Sequence, residues 1–179
     1  MDLLKKCAVQ YLDYIGNDFC FLLDCGLTFT ISFQKRQFFH FIGLHKLTDL
    51  SDLNTKSEIV LRNILGNVTT LEDIKKSVHY PKIKDRLENF LDIDSFVNSK
   101  IIIDFDYTKV KGGNTRLMAK YILFKEHDEN NLHYCFAMDK LGNYYPETFI
   151  VQTDDYYIKN QVTYEVVSIE RKKHKHNKH

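Results

Sequence analysis

The chain has no tryptophan, only two prolines and seven glycines among 179 residues, and just four cysteines. So little proline and glycine excludes a collagen-like repeat or a Pro/Gly-rich disordered tract. The cysteines, Cys7, Cys20, Cys25 and Cys135, form no C-x-x-C pair and have no histidine partner at zinc-finger spacing. This excludes a disulfide miniprotein and leaves them as small packed hydrophobes in a reducing cytoplasm. Long apolar runs are missing too, so no membrane-spanning segment and no membrane partner are expected. The start, Met1-Asp2-Leu3-Leu4-Lys5-Lys6, has an acid at position two and no long apolar stretch, and does not read as a signal peptide. A surplus of charge is absent as well: 25 Lys+Arg stand against 24 Asp+Glu, a formal net charge of +1. Any phosphate binding must come from a local patch.

What is present is a composition that can bury a core. Hydrophobic residues make up 44% of the chain, and the length suits one domain. We read residues 1–170 as that domain and 171–179, Arg171-Lys172-Lys173-His174-Lys175-His176-Asn177-Lys178-His179, as a basic tail. The tail could touch RNA backbone or a metal ion, but a charge run of this kind reads first as a solvated terminus.

Apolar spacing predicts a helix over 2–15, stopping at Gly16-Asn17. Phe19–Leu23 and Leu27–Phe33 flank Asp24-Cys25-Gly26 as a hairpin. Residues 36–47 return to helical rhythm, with Phe38, Phe41, Ile42 and His45 on one face. A helix near 56–65 ends at Gly66-Asn67, Thr70 and Asp73 stand at capping-box distance, and Pro81 opens a helix with Ile83, Leu87, Phe90 and Leu91 as its apolar side. The second half reads as strands: Ile101–Phe105, Tyr121–Lys125, Leu132–Met138, Thr148–Val151 and Val162–Ile169. Lys111-Gly112-Gly113-Asn114 is the strongest turn. Close spacing without helices between predicts antiparallel connections, so the expected class is α+β: an N-terminal helix and β-hairpin, central helices, and a C-terminal antiparallel sheet.

Candidate chemistry lies in two places. Phe39-His40-Phe41-Ile42-Gly43-Leu44-His45-Lys46-Leu47 sets two histidines and a lysine into an apolar helix. Histidines five apart project about 140° from each other on a continuous helix, which excludes an H-E-x-x-H zinc site. Either histidine suits general acid or base work at neutral pH. His45 continues the apolar stripe and reads equally as a core histidine, whereas His40 lies off it, nearer solvent. Lys46 reads first as a complement to the helix dipole and second as a phosphate contact. The other place is Tyr144-Tyr145-Pro146-Glu147-Thr148-Phe149-Ile150, followed by Asp154-Asp155-Tyr156-Tyr157-Ile158-Lys159-Asn160-Gln161. Pro146 marks a strand start or edge. A hydroxyl, a tyrosine and a lysine beside a histidine suit phosphodiester chemistry. Arg116, Lys120 and Lys125 could line a phosphate path, though a solvated face is the plainer reading.

Taken together, these two segments resemble a known group. Phe39–Leu47 after a hairpin, then Pro146-Glu147-Thr148-Phe149, Asp155, Tyr157, Gln161 and Tyr164-Glu165-Val166, resemble the helix motif and C-terminal signature of the phage-associated barnase–EndoU–colicin–RelE-like (BECR-fold) nucleases of bacterial phages and mobile elements. The resemblance runs from the hairpin to Ile169. It implies helices followed by a small antiparallel sheet, and a metal-independent endoribonuclease without a cofactor. In that chemistry a base takes the ribose 2′-OH proton, the 2′-oxygen attacks phosphorus, and an acid protonates the leaving 5′-oxygen. The residues matched to the motif are His40, Gly43, Leu44, Lys46, Thr148, Asp155 and Tyr157. On this reading His40 leads as acid or base with His45 second, Lys46 and Thr148 steady the phosphate, and Tyr157 stacks a base or donates a hydrogen bond. Arg116 and Lys159 join as substrate-binding cations. The partners implied are RNA and, for a toxin or phage effector, an antitoxin or immunity protein.

The near-neutral charge keeps a second reading open, a non-catalytic protein-interaction module on the same scaffold. A ribonuclease requires His40 and Thr148 to converge on one cleft beside a cation. An interaction module requires both histidines buried and hydrogen-bonded, no basic cleft, and an exposed apolar patch.

Overall fold

The computed structural model describes residues 1–110, 115–127 and 130–173. The turn expected at 111–114 and residues 174–179 of the basic tail lie outside the described residues.

The first helix, α1 (Leu3–Leu12), starts where Asp2 accepts the Lys5 N–H at 2.8 Å, and it buries Leu4, Cys7, Ala8 and Tyr11. The second oxygen of Asp2 accepts the Leu71 N–H at 2.9 Å. One carboxylate thus serves the starts of two helices. The hairpin follows as β1 (Asn17–Leu23) and β2 (Thr28–Ser32), with buried positions alternating with half-buried ones in β1 and mainly with exposed ones in β2.

The continuous helix predicted over 36–47 is broken. Only Phe38–Phe41 is α-helical (α2), between single 3-10 turns at Lys35–Gln37 and Leu44–Lys46. Gly43 causes the break: its φ is +91°, and a Cβ there would lie 3.0 Å from Ile83 Cγ2 and 3.1 Å from Arg86 Cδ. Only glycine enters this region without steric cost. Further on come α3 (Ser57–Leu65) and α4 (Leu71–Lys75), the latter opened by the Thr70–Asp73 capping box. Pro81 sits in a 3-10 turn ahead of α5 (Lys84–Asn89), and 3-10 structure continues over Phe90–Asn98.

The strands of the second half are β3 (Ile101–Asp104), β4 (Tyr121–His127), β5 (Asn130–Met138), β6 (Tyr144–Gln152) and β7 (Val162–Lys173). They do not form a separate antiparallel sheet. The hairpin joins them in a closed seven-stranded barrel, ordered β1-β2-β6-β5-β4-β3-β7. Antiparallel β1–β7 pairing closes one side, and a parallel bridge between Ile31 and Tyr144 joins β2 to β6. Local spacing along the chain cannot register these contacts, because each pairs strands far apart in sequence. Strand β7 carries Arg171–Lys173, the first residues of the basic run, paired with Asn17–Phe19.

Helices and inward strand residues share one aromatic core. Tyr14, Phe19, Phe33 and Phe96 meet at centroid separations of 5.0–5.7 Å, and Tyr134 stacks on Phe149 at 5.0 Å. A smaller cluster, including Ile103, Phe105, Ile122 and Cys135, packs under Tyr156, Tyr157 and Ile158. Cys7 and Cys135 are buried in these two clusters, while Cys20 is half-buried and Cys25 exposed.

Candidate active site

The site grows out of an irregularity in β6. Cys135 pairs with Thr148 and Phe136 with Pro146, so Glu147 is an extra residue with no partner across the ladder. Such a bulge turns two successive side chains to one face and inverts the alternation beyond it. Tyr144, Phe149 and Val151 therefore pack on the main core, and Ile150 on the smaller cluster. Glu147 and Thr148 both line a cavity of about 660 Å³. Pro146 stands two residues into β6, beyond the single Ile31–Tyr144 bridge to β2, so it is paired on the β5 side alone and meets the edge condition beside the bulge.

Across the cavity stands the broken 36–47 segment. Because Gly43 reverses the chain between them, His40 and His45 do not diverge as on a continuous helix. Their rings lie 4.9 Å apart at 34°. His40 is exposed, His45 half-buried, and His45 Nδ1 is buried without a hydrogen-bond partner. Burial lowers the His40 pKa from the usual histidine value. Burial, then the charges of His40, Arg86 and Lys46, bring His45 down to about 4, against a backbone hydrogen bond with Phe39. Both shifts favour the neutral imidazole. Lys46 is half-buried, and burial together with Arg86 and Lys82 lowers it to about 8.

Arg86 was not among the residues singled out from the sequence. It projects from α5, is 7% exposed, and donates from Nη1 to Thr148 Oγ1 at 2.6 Å. Among the described residues it has no carboxylate partner. Burial lowers its pKa, yet a guanidinium keeps its charge in a protein. A signal existed: Arg86 stands three residues after Ile83 and four before Phe90, so the apolar face of this stretch contains a cation. Glu147 was also missed as a functional residue. Its Oε1 accepts the Met118 N–H at 2.9 Å, its Oε2 is buried without a partner, and burial raises its pKa.

Of the residues proposed from the sequence, His40, His45, Lys46, Arg116, Thr148 and Tyr157 all line this cavity. Lys159 does not. It is exposed in the turn after Asp155, with its backbone N–H bonded to the Asp155 carbonyl at 2.9 Å. Asp155 is an exposed turn residue as well. Gln161 clasps the backbone of Asp106 through two hydrogen bonds, at 2.9 and 3.0 Å. These parts of the late segment hold the 153–161 connection in place. Lys120 and Lys125 pair with Asp104 and Asp92 away from the cavity.

Among charged residues, Arg36, Lys46, Arg86 and Arg116 face Asp139 and Glu147 in the cavity wall. An almost neutral chain thus gathers four cations against two carboxylates, one of them with a raised pKa. An exposed His40 and an unpartnered His45 nitrogen differ from the two buried, hydrogen-bonded histidines that an interaction module requires. Among the described residues, no three His, Cys, Asp or Glu side chains group as metal ligands, and no helix is long and apolar enough to cross a membrane.

No curated protein and no solved structure matches the chain. A family model described as phage-Barnase-EndoU-ColicinE5/D-RelE like nuclease4 (PBECR4) matches residues 3–179. With essentially its whole length matched, from α1 through the barrel and the cavity it frames, this chain belongs to the PBECR4 family of BECR-type nucleases.

Proposed function

We propose that the chain is a metal-independent endoribonuclease whose active centre is the cavity between the Gly43 turn and the β6 bulge. The observation that carries this reading is Arg86. A buried guanidinium without a carboxylate is costly, and here it opens onto a cavity that also holds two neutral histidines. A phosphodiester supplies the missing anion, and Arg86 with Thr148 donates hydrogen bonds to its non-bridging oxygens.

The chemistry follows from the protonation states. His40, neutral and exposed at the cavity, takes the ribose 2′-OH proton. The 2′-oxygen then bonds to phosphorus, and the bond from phosphorus to the 5′-oxygen breaks. Lys46, protonated below about 8, returns a proton to the leaving 5′-oxygen. His45 holds His40 in place through ring contact, and Tyr157 and Arg116 bind flanking parts of the strand. The products are a 2′,3′-cyclic phosphate and a 5′-hydroxyl, and exchange with water resets both groups.

The test is cleavage of mixed RNA in EDTA by wild type, His40→Ala, Thr148→Ala and Arg86→Met, with the new ends analysed chemically. Cyclic phosphate ends from wild type, lost in His40→Ala and Arg86→Met while circular dichroism stays native, is the expected result. Equal cleavage by all four proteins, or none by wild type, overturns it. The cell compartment and an antitoxin or immunity partner belong to the same proposal, and co-purification from the native host tests them.

A further inference from the structure

A second concavity, of about 420 Å³, shares His45 with the first. Its floor is apolar and closed: Leu44, Leu47 and Leu53 are each buried to within 4% exposure. Phe39, half-buried, forms part of the wall. From Phe39 the rings run in sequence toward the first cavity, with His40 at 5.4 Å edge to face and His45 another 4.9 Å on.

The rim has a different chemistry. Thr48, Asn54 and Thr55 are exposed, and among the described residues their side chains make no hydrogen bond. Among the described residues, no lysine, arginine, aspartate or glutamate lines this concavity. It is therefore unsuited to a phosphate, which needs cations or converging N–H groups. An apolar floor, an aromatic wall and free amide and hydroxyl groups at the edge suit a flat neutral heterocycle with polar edges.

We infer that this concavity seats the nucleobase of the nucleotide next to the scissile phosphate, and that Asn54 and Thr55 read its edge. The inference rests on the ribonuclease reading. Its further warrant is continuity: one ring, His45, borders both the phosphate cavity and the base concavity, as consecutive parts of one strand require. Stacking against Phe39 holds any base, while the Asn54 amide and the Thr55 hydroxyl discriminate among bases.

Two measurements separate this inference from the reading beneath it. In the first, amide chemical shifts are followed while the four nucleoside 3′-monophosphates are added singly. The expected result is movement of the amides over 44–55 by at least one nucleotide, and affinity weakened at least about fivefold by Phe39→Leu and by Asn54→Ala. Shifts confined to the Arg86 and Thr148 surroundings, or none with any nucleotide, overturn the base seat. In the second, RNA ends produced by wild type, Asn54→Ala and Thr55→Ala are sequenced. A base bias beside the cut that flattens in the rim variants supports the inference. Cleavage with a bias unchanged in both overturns it and leaves the ribonuclease intact. Both rim residues are exposed, so native folding is expected of these variants, and circular dichroism checks it.

Discussion

Arg86 Nη1 donates to Thr148 Oγ1 at 2.6 Å, joining α5 to the β6 bulge across 62 positions of sequence. This one contact places the buried charge of the helical half against the hydroxyl of the barrel half. It also separates stability from function. Arg86→Met keeps the side-chain length and removes a desolvated charge, so the unfolding free energy should hold or rise by about 1 kcal/mol. Cleavage should fall by roughly 10²–10³-fold, as when one donor to a transition-state oxygen is removed. Urea unfolding and initial cleavage rates measure the two. Full activity in Arg86→Met would falsify the phosphate role.

The pH dependence follows from His40 and Lys46. As base, His40 must be neutral, and its lowered pKa places the rising limb below the usual histidine value of 6.5. As acid, Lys46 must be protonated, so the rate should fall above about 8. A bell between these limits is expected in single-turnover rates. Lys46→Arg should extend the high-pH limb and lower the maximum, because a guanidinium does not release its proton. A high-pH limb unchanged by that substitution would exclude Lys46 as the acid.

Gly43→Ala tests the turn that brings the histidines together. The positive φ is unfavourable for alanine, and its Cβ would press on Ile83 and Arg86. A loss of about 1–3 kcal/mol in stability is expected, with a further drop in activity as His40 and Arg86 shift. Chemical denaturation beside cleavage at saturating RNA reads both.

His133 makes a prediction that does not involve catalysis. It is fully buried, neither ring nitrogen has a hydrogen-bond partner, and its ring stacks on Phe124 at 5.5 Å. Burial lowers its pKa from 6.5 to about 4, against the raising effect of Asp154. The unfolded chain then binds the extra proton between these values, so stability should decline as pH falls from 6.5 towards 4. His133→Phe keeps the stacking and removes both unpaired nitrogens. It should raise stability at pH 7 by about 1 kcal/mol and flatten the acid slope. His45 is also lowered to about 4 and will leave part of that slope. Thermal melts across this pH range provide the check, and an unaltered slope would show that His133 is not its source.

Much of the local structure is legible in the residues. Asp24-Cys25-Gly26 between alternating runs does make a hairpin, and Thr70 with Asp73 does start a helix. These features are set by neighbours within a few positions, which is the range over which turn chemistry and capping act. The helical rhythm of 36–47 misleads because Gly43 looks like a tolerable glycine until Ile83 and Arg86 occupy the space a side chain would need. His40, His45 and Thr148 are legible as chemistry-bearing residues, since an imidazole and a hydroxyl carry their chemistry in the side chain itself, even though burial then shifts where each histidine titrates. Lys159 is equally suited by type, yet its turn carries it away from the cavity.

The sequence by itself determined the first helix, the hairpin, the strand-rich second half, the Thr70–Asp73 cap and the presence of one histidine-bearing and one hydroxyl-bearing segment, because each depends on contacts a few residues apart. Only the tertiary structure decided that the sheet closes into a barrel, that a bulge turns Glu147 and Thr148 to one side, and that Arg86 meets Thr148. Those outcomes depend on pairings between segments far apart in the chain. Burial and like-charge proximity, which move His45 and Lys46 from their ordinary titration ranges, exist only once those segments have met.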